Sequence, residues 1–431
     1  MKVGIIGGGA SGMILASKLN KYDVTIIERN SKLGKKLLLT GNGKCNFTNM
    51  DFNDINDIYN NVFAINLYNK FDNISFINYL KELGIVPKIE KHKGINYVYP
   101  NSNKSSSIYY SLLDKIKYNK VNILYNSYVK DIKIKNNKFE LKLDNNEILE
   151  FDKIILATGG MSYKNTGSDG NGYILAKQLG HRIIEPVPGL VSLKYNLKDY
   201  GNFDLSLNGK CRVNALVSYN SNDETKCFNE YGEIQFSDDS ISGIPILNMS
   251  SKIGKKLIKY GKINFTIDFS YNIINDITDD NYALYNNDKI NNLSNKKNAI
   301  KAFLIERKNN ISYRKIQDFL CGFLPDEINE VILKLSGVYN TSIPNLSNKD
   351  IDRIVDNIVD FKLYVNKLSG FDNAQITLGG VDTSFINIEN LESKLVKNLY
   401  FTGEILDIDG RCGGYNLQLA YSTASAVAES L

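Results

Sequence analysis

The stretch that decides the fold is Val3-Gly4-Ile5-Ile6-Gly7-Gly8-Gly9-Ala10-Ser11-Gly12, close to the start of the chain. A short apolar run breaks into glycines spaced Gly7-x-Gly9-x-x-Gly12 and then resumes, which predicts a buried parallel strand, a tight turn and a helix. Gly7 permits the sharp turn, Gly9 lets a ligand approach the backbone, and Gly12 lets the helix pack closely on the strand. The N–H groups at the new helix N-terminus would face an anion, so the stretch predicts a pyrophosphate site.

A carboxylate follows the second predicted strand. The strand Asp23–Ile27 ends at Glu28, about where a ribose-binding acidic residue is expected relative to the glycine turn. The alternative is an ordinary glycine-rich turn followed by a surface glutamate. Because spacing, position and context agree, we favour a dinucleotide-binding fold.

Length and composition describe an ordinary globular protein. The 431 residues predict two or three domains, and the net charge of +5 is too small and too scattered to argue for a nucleic-acid partner. The sequence has no run of about eighteen apolar residues and no signal peptide, so we expect a cytoplasmic protein without a membrane partner. Its five cysteines include no C-x-x-C pair, which argues against a disulfide framework and against a metal site.

A long polar segment, Ser31–Asn49, follows the second strand and is crowded with Gly, Lys, Asn and Thr. We interpret it as a loop, without a helix, that wraps the phosphates and ring edge of the ligand, with Lys35 or Lys36 supplying charge. A solvated basic turn is the alternative.

Further predicted elements continue the α/β pattern. The helices are 55–70, 74–83 and 105–118, and the strands are 97–99, 121–125, 128–135, 138–143 and 147–151. Another buried strand from Lys153 ends in Ala157-Thr158-Gly159-Gly160, whose small side chains would let a cofactor lie against the backbone. Gly167–Gly172 is a glycine-rich turn before a helix at 173–179.

The middle of the chain changes character after Pro186–Gly189. Short strand-like pieces and a helix that starts near Ile244 precede a polar stretch, Ser270–Asn298, which predicts a loop. Amphipathic patterns predict four more helices and then a returning strand, at 299–308, 313–320, 326–335, 348–360 and 361–367. We interpret the middle as an inserted β unit that carries a helical subdomain.

The end of the chain repeats the strand–loop–helix design of the start. A buried strand ends at Gly403-Glu404, a loop carries Asp407 and Asp409, and glycines lead into a helix at 415–431. Asp407 or Asp409 would accept hydrogen bonds from a sugar-alcohol chain, and the N–H groups at 414–416 would meet negative charge on a ring. An ordinary βα loop is the alternative. We therefore expect the final segment to join the first in one domain, with the middle as an insertion.

These motifs together resemble a bacterial flavoprotein family of aminoacetone oxidase-like or 3-dehydro-bile acid reductase-like FAD-binding enzymes. The matching motifs occur in the family's order, at Gly7–Gly12, Gly34–Asn46, Ala157–Gly160, Ser242–Pro245, Gly379–Val381, Gly403–Gly410 and Gly413–Gln418. Ile244 stands where the family usually has a proline, which affects the local turn. The resemblance implies a glutathione-reductase-like, Rossmann-type FAD-binding domain from residues 1–190 and 371–431. It also implies a β-barrel-like unit at 191–275 and 358–370 and a helical subdomain at 276–357.

By position, the resemblance also implies which residues bind FAD. Glu28 would hold the adenosine ribose, and the backbone of Val129 would meet the adenine. The full set is Gly7, Gly8, Gly9, Ala10, Ser11, Gly12, Glu28, Arg29, Lys36, Thr40, Asn42, Gly43, Cys45, Val129, Ala157, Thr158, Gly159, Gly403, Glu404, Asp409, Gly414, Asn416 and Leu417.

The resemblance implies an FAD-dependent oxidoreductase in which NADH or NADPH reduces the flavin, which then passes a hydride to a small unsaturated carbonyl compound. An RNA-modifying flavoprotein and a flavin-binding sensor without turnover are the alternatives. No catalytic residue is assigned, since His181 is expected to be structural and His92 to lie in a surface turn. Cys45 and Cys412 lie in the two predicted cofactor loops and are interpreted as packing residues, with a thiol–flavin relay as the alternative. The substrate and the oligomeric state stay open.

Overall fold

The computed structural model describes residues 1–52, 55–92, 95–196, 211–220, 227–271 and 293–431. The chain divides into two compact units. The first combines Met1–Leu190 with Gly370–Leu431, and the second is Val191–Ser369.

Strands and helices follow one another in mixed order in both units. The strands are β1 (Lys2–Ile6), β2 (Asp23–Ile27), β3 (Thr48–Asn49), β4 (Pro87–His92), β5 (Ile95–Pro100), β6 (Asn122–Leu124), β7 (Val129–Lys135), β8 (Lys138–Leu143), β9 (Ile148–Phe151), β10 (Lys153–Leu156), β11 (Ile183–Gly189), β12 (Leu193–Tyr195), β13 (Cys211–Asn220), β14 (Cys227–Phe236), β15 (Ser240–Ser242), β16 (Ile263–Asp268), β17 (Phe361–Leu368), β18 (Ile376–Val381) and β19 (Leu399–Phe401). The α-helices are α1 (Ala10–Lys18), α2 (Lys35–Leu39), α3 (Ile55–Ile58), α4 (Val62–Lys70), α5 (Asn73–Glu82), α6 (Ser105–Tyr118), α7 (Asn171–Gln178), α8 (Ile244–Tyr260), α9 (Leu293–Asn310), α10 (Asp326–Leu335), α11 (Asn348–Val359) and α12 (Tyr415–Ser430).

A parallel sheet forms the centre of the first unit, with strand order β19-β10-β1-β2-β6. β1 lies in the middle and pairs with β2 on one side and β10 on the other. Its last four residues are buried, as expected for an apolar strand that is covered on both faces. β19, from the end of the chain, completes the sheet beside β10. Both ends of the chain therefore build one Rossmann-type sheet.

Smaller antiparallel sheets complete the first unit. β7, β8 and β9 form a meander, whose first turn places Asn136 and Asn137 at φ values of 51° and 61°. Positive φ at both central residues is the requirement of a type I′ hairpin, which asparagine tolerates. The other two sheets are β3-β5-β4 and β11-β18.

A closed six-stranded barrel forms the β part of the second unit, in the order β12-β15-β14-β13-β16-β17. Alternate residues of β13 are buried, so its apolar side chains fill the barrel interior. The returning strand β17 pairs with β12 and β16 and closes the barrel. Helices α9 to α11 belong to the same unit, and α11 begins with a capping box between Ser347 and Asp350.

Some predicted elements differ from the structure. The predicted helix at 313–320 is wrong, because only a short 3-10 turn, Ile316–Asp318, forms there. The N–H groups of Asp318 and Phe319 bond to the carbonyl oxygens of Lys315 and Ile316, three residues back, as in a 3-10 turn. The guanidinium of Arg307 donates to the carbonyl oxygens of Phe319 and Cys321 at the end of this turn. The segment 55–70 is two helices rather than one, since Asn61 caps the second of them by accepting from the N–H of Phe63.

Two predicted loops also contain helix. A short helix, α2, lies inside the segment 31–49, where the sequence predicted none. Most of the predicted loop 270–298 lies outside the described residues, but its last part is the beginning of α9. Within the described ranges, none of the helices is long and apolar enough to cross a membrane.

Candidate functional site

A cleft runs along the carboxyl edge of the parallel sheet in the first unit. Because parallel strands end at the same edge, the residues that follow β1, β2, β10 and β19 meet there. The cleft has two compartments, both open to solvent. The first compartment is lined by residues such as Glu28, Arg29 and Val129, and the second by residues such as Ile376, Glu404 and Leu417. Both compartments share the residues Gly9, Lys36, Ala157, Thr158 and Ser168.

The three glycines of the opening motif have three different environments. Gly7 has a φ of +103°, and a Cβ on it would lie 2.5 Å from the carbonyl oxygen of Ala157. A Cβ on Gly12 would lie only 2.1 Å from the carbonyl oxygen of Gly7, so α1 packs directly on the turn. A Cβ on Gly9 would meet nothing within 4 Å, so it would project into open space beside the cleft. This is the arrangement expected when a phosphate approaches the backbone at Gly9.

Glu28 is held at the end of β2 by three hydrogen bonds. Its carboxylate accepts from the N–H of Gly8 at 2.8 Å, from the N–H of Asn30 at 2.8 Å and from Nδ2 of Asn30 at 2.7 Å. The residue is only 6% exposed, yet it lines the first compartment. A carboxylate can accept about four hydrogen bonds, so Glu28 retains capacity for a ligand hydroxyl.

Arg29 forms the rim of the first compartment. Its guanidinium lies 2.5 Å from the carboxylate of Asp169 and 4.8 Å from the ring centroid of Tyr128. The backbone carbonyl of Val129 accepts from Nδ2 of Asn171 at 3.0 Å, which connects β7 to the start of α7. These contacts fix the loops that enclose the predicted adenosine end.

Helix α12 begins at the second compartment. Its N-cap, Gly414, has a φ of +90°, and a Cβ there would lie 2.8 Å from the carbonyl oxygen of Thr48. Asn416 accepts from the N–H of Gly410 at 2.9 Å and donates to the carbonyl oxygen of the same residue at 2.9 Å. These bonds shape the loop around the positive end of the helix dipole, which favours negative charge in the compartment.

Asp409 is positioned by a neighbouring loop. Its carboxylate accepts from Nδ2 of Asn60 at 2.5 Å, and its N–H donates to Oδ1 of the same residue at 2.9 Å. The aspartate is 8% exposed and lines the second compartment. Its side chain is therefore oriented before any ligand binds.

The segment 40–46 turns sharply beside the second compartment. Gly41, Asn42, Gly43 and Cys45 all have φ values between 53° and 84°. Cys45 is wholly buried, and burial raises the pKa of its thiol to about 12, with a hydrogen bond to Thr40 opposing the change. Such a thiol stays protonated at neutral pH, which suits the interpretation of Cys45 as a packing residue.

Most of the predicted FAD-binding residues line the cleft, and a minority do not. Those that line it are Gly7, Gly8, Gly9, Ala10, Ser11, Glu28, Arg29, Lys36, Thr40, Val129, Ala157, Thr158, Gly159, Gly403, Glu404, Asp409, Asn416 and Leu417. Those outside both linings are Gly12, Asn42, Gly43, Cys45 and Gly414. Gly12 and Gly414 serve the turn and the helix start instead.

Sequence reasoning missed part of the lining. Tyr128, Thr166–Asp169 and Asn171 line the first compartment, and Gln375 and Ile376 line the second. The glycine-rich turn at 167–172 was the available signal for the first group. Gln375 and Ile376 had no such signal, because they follow the insertion and are held beside the cleft by contacts between distant segments, such as the pairing of β18 with β11 and the hydrogen bond from the N–H of Thr377 to Glu404.

Two candidate histidines lie apart from the cleft. His181 is 3% exposed, its Nε2 atom lies 2.8 Å from Oγ of Ser393, and its ring contacts Phe401 edge to face. His92 is exposed at the end of β4, and residues 93–94 after it lie outside the described residues. Neither histidine lines either compartment.

The geometry of the cleft also fits FAD. Oγ1 of Thr158 is buried at the junction of the compartments and has no hydrogen-bond partner among the described residues. The open space at Gly9 leaves room for the phosphates. Apolar side chains of the second compartment would cover a ring system, namely Leu37, Ile376, Ile408, Leu417 and Leu419.

Comparison with known proteins decides the family. The model of the HI0933-like protein Rossmann domain matches residues 1–430. The chain belongs to this family of FAD-binding Rossmann proteins. It is an FAD-dependent oxidoreductase, so the predictions of a Rossmann-type fold, of FAD and of an enzyme are confirmed.

Individual relatives cover nearly the whole chain. The 3-dehydro-bile acid delta(4,6)-reductase of Clostridium scindens is 32% identical over 98% of this chain and 97% of its own length. The ribosomal RNA dihydrouridine synthase of Haemophilus influenzae is 28% identical over 99% of this chain and 97% of its own length. Among solved structures, an open flavocytochrome c3 fumarate reductase has a TM-score of 0.47 and 13% identity, covering 99% of this chain and 77% of that chain.

Proposed function

We propose that this member of the HI0933-like family uses NADH or NADPH to reduce a carbon–carbon double bond conjugated to a carbonyl group in a small molecule. Full-length similarity to a delta(4,6)-reductase carries the proposal. A second relative makes dihydrouridine, which also requires saturation of a double bond next to a carbonyl. Reduction of an electron-poor alkene is therefore the chemistry that both named activities share.

The residues of the cleft would bind and orient the cofactor. FAD, when bound, would supply the hydride-transfer chemistry at its flavin ring. The turn at Gly7–Gly12 would hold the pyrophosphate, and Glu28 would accept hydrogen bonds from the ribose of the adenosine half. Asp409, already oriented by Asn60, would accept from the sugar-alcohol chain. The N-terminus of α12 would favour negative charge in the second compartment.

Anaerobic rapid mixing tests this proposal. The flavin-loaded protein is mixed with NADH or, separately, with NADPH, and the flavin absorbance at about 450 nm is followed. We expect bleaching by at least one donor. The reduced protein is then mixed with 2-cyclohexenone, with a benzoquinone and with a primary amine, and we expect reoxidation by the enone. Bleaching by neither donor would instead support a flavin-binding sensor without turnover.

Reduction of uridine in RNA is the second candidate, favoured by the dihydrouridine synthase relatives. The helix α8 also carries four lysines, Lys252, Lys255, Lys256 and Lys259, and no acidic residue. Incubation with unmodified ribosomal RNA and NADPH, followed by nucleoside mass spectrometry, tests it. If dihydrouridine forms and 2-cyclohexenone does not reoxidise the reduced flavin, the small-molecule proposal is wrong and uridine in RNA is the substrate.

A further inference from the structure

Lys36 occupies the junction of the two compartments. Among the five residues that both compartments share, it is the one with a cationic side chain. Its Nζ atom donates to Oγ of Ser162 and to Oε2 of Glu404, at 2.6 Å in each case. The side chains of Lys36 and Glu404 are 22% and 24% exposed, and Ser162 is wholly buried. The ammonium group is thus fixed by two partners at the edge of a cleft.

Buried polar groups in turn hold the two partners of Lys36. Oε1 of Glu404 accepts from Oγ of Ser162 at 2.9 Å and from the N–H of Thr377 at 2.8 Å. Oγ1 of Thr377 accepts from the N–H of Ser162 at 3.1 Å. These residues come from the segments after β10 and β19 and from β18, so three separate parts of the chain determine where the ammonium group lies.

The ligand's shape indicates what Lys36 faces. A dinucleotide with one half in each compartment must pass its linking diphosphate through the residues that the compartments share. An ammonium group has three N–H donors, and Ser162 and Glu404 use two of them. The third donor is available for a diphosphate oxygen, and hydrogen bonds between charged partners are stronger than neutral ones.

We propose that Ser162 is the positioning residue that aims the remaining N–H of Lys36 at the diphosphate of FAD, so that Lys36 rather than Lys35 supplies the charge expected beside the phosphates. The proposal rests on FAD binding in this cleft and is independent of the compound that accepts the hydride. Arg29, Lys32 and Lys35 line the first compartment alone, so they would act on the adenosine half.

Nucleotide fragments test the role of Lys36 in the full chain after removal of flavin. Calorimetry measures the affinities for ADP and for AMP, which differ by one phosphate. Lys36→Met is expected to lower the preference for ADP over AMP by about tenfold, since a charge-assisted hydrogen bond contributes about that much. The affinity for AMP should change less than about twofold. An unchanged preference would overturn the proposal.

Lys44→Met is the matched control. Lys44 is an exposed residue of the same segment and lines neither compartment, so the variant removes the same charge without the proposed contact. Its preference for ADP should equal that of the wild type. If both variants lose the preference for ADP equally, the preference comes from long-range attraction between lysine charges and the phosphates, and the proposed contact of Lys36 is refuted.

A double-mutant cycle tests the positioning role of Ser162. Ser162→Ala should lower the ADP preference about threefold to fivefold in the wild-type background and have no effect in the Lys36→Met background. An equal effect in both backgrounds would show that Ser162 acts without Lys36. If Ser162→Ala does not fold, Ser162→Cys replaces it, because a thiol is a weaker hydrogen-bond partner of similar size. All these measurements use ADP and AMP, which take no part in redox chemistry. They therefore test the role of Lys36 even if no nicotinamide donor reduces the flavin.

Discussion

The Nε2 atom of His181 lies 2.8 Å from the Oγ atom of Ser393, inside the first unit. Oγ of Ser393 already accepts from the N–H groups of Leu395 at 3.0 Å and Val396 at 2.9 Å. Its hydroxyl hydrogen therefore donates to Nε2, and the imidazole proton belongs on Nδ1, which is buried without a partner among the described residues. This geometry requires a neutral histidine.

The first prediction concerns pH. Burial lowers the pKa of His181 below its usual value of 6.5, so the folded state binds the proton less tightly than the unfolded state. The resulting stabilisation is complete above 6.5 and is lost as the pH falls through 6.5 towards the folded-state pKa. Calorimetric Tm values at pH 7.5 and 5.5 should therefore differ more for the wild type than for His181→Leu. Equal differences would show that His181 does not titrate on unfolding.

The second prediction separates two glycines of the opening motif. Gly12→Ala should destabilise the fold by about 1–3 kcal/mol or more, because its Cβ would lie 2.1 Å from the carbonyl oxygen of Gly7. Gly9→Ala should leave the Tm nearly unchanged, since its Cβ would meet nothing within 4 Å. It should nevertheless weaken FAD binding about tenfold, because the methyl group would occupy the space for the phosphate. Thermal unfolding of the flavin-free protein and FAD titration check both parts, and a stable Gly12→Ala variant would contradict the packing argument.

The third prediction concerns thiol reactivity. Cys45 is buried and burial raises its pKa to about 12, whereas Cys227 is exposed. Iodoacetamide at pH 8 should therefore modify Cys227 within minutes and leave Cys45 unmodified in the folded protein. Peptide mass spectrometry measures both sites, and urea-unfolded protein, in which both should react, is the control. Rapid labelling of Cys45 in the folded protein would contradict its assignment as a packing residue and support the alternative, a thiol–flavin relay.

The fourth prediction compares two adjacent lysines in the second unit. Lys296 lies 2.5 Å from the carboxylate of Asp268, with side chains 15% and 9% exposed, and Lys297 pairs with Asp356, which is 59% exposed. Lys296→Met should cost about 3 kcal/mol because it leaves a buried carboxylate without its cation. Lys297→Met should cost less than about 1 kcal/mol, as is usual for an exposed pair. Urea unfolding measures both, and equal costs would contradict the assignment of Lys296–Asp268 as a buried ion pair.

The sequence predicted those helices, strands and turns whose conformation depends on residues close together in the chain. The strand, turn and helix at 3–16 were predictable because the turn at Gly7 requires a left-handed backbone and Gly12 requires close packing. The helix at 326–335 was predicted with its correct bounds, and the helix predicted at 348–360 begins at Asn348, directly after its N-cap Ser347. The helix predicted at 313–320 was wrong because the amphipathic pattern does not distinguish an α-helix from the short 3-10 turn that forms there, whose end is bound by Arg307 of another helix.

What the sequence determined by itself is the dinucleotide-binding turn and the identity of the segments that surround it. These depend on residue types at short, fixed spacings, such as Gly7, Gly9, Gly12 and Glu28. Only the tertiary structure decided that Ser162 and Thr377, 215 positions apart, hold Glu404 and through it Lys36 at the junction of the cleft. Those contacts join segments on either side of the inserted unit, which meet only when the chain folds. Side-chain hydrogen bonds between residues so far apart leave no periodicity in a sequence.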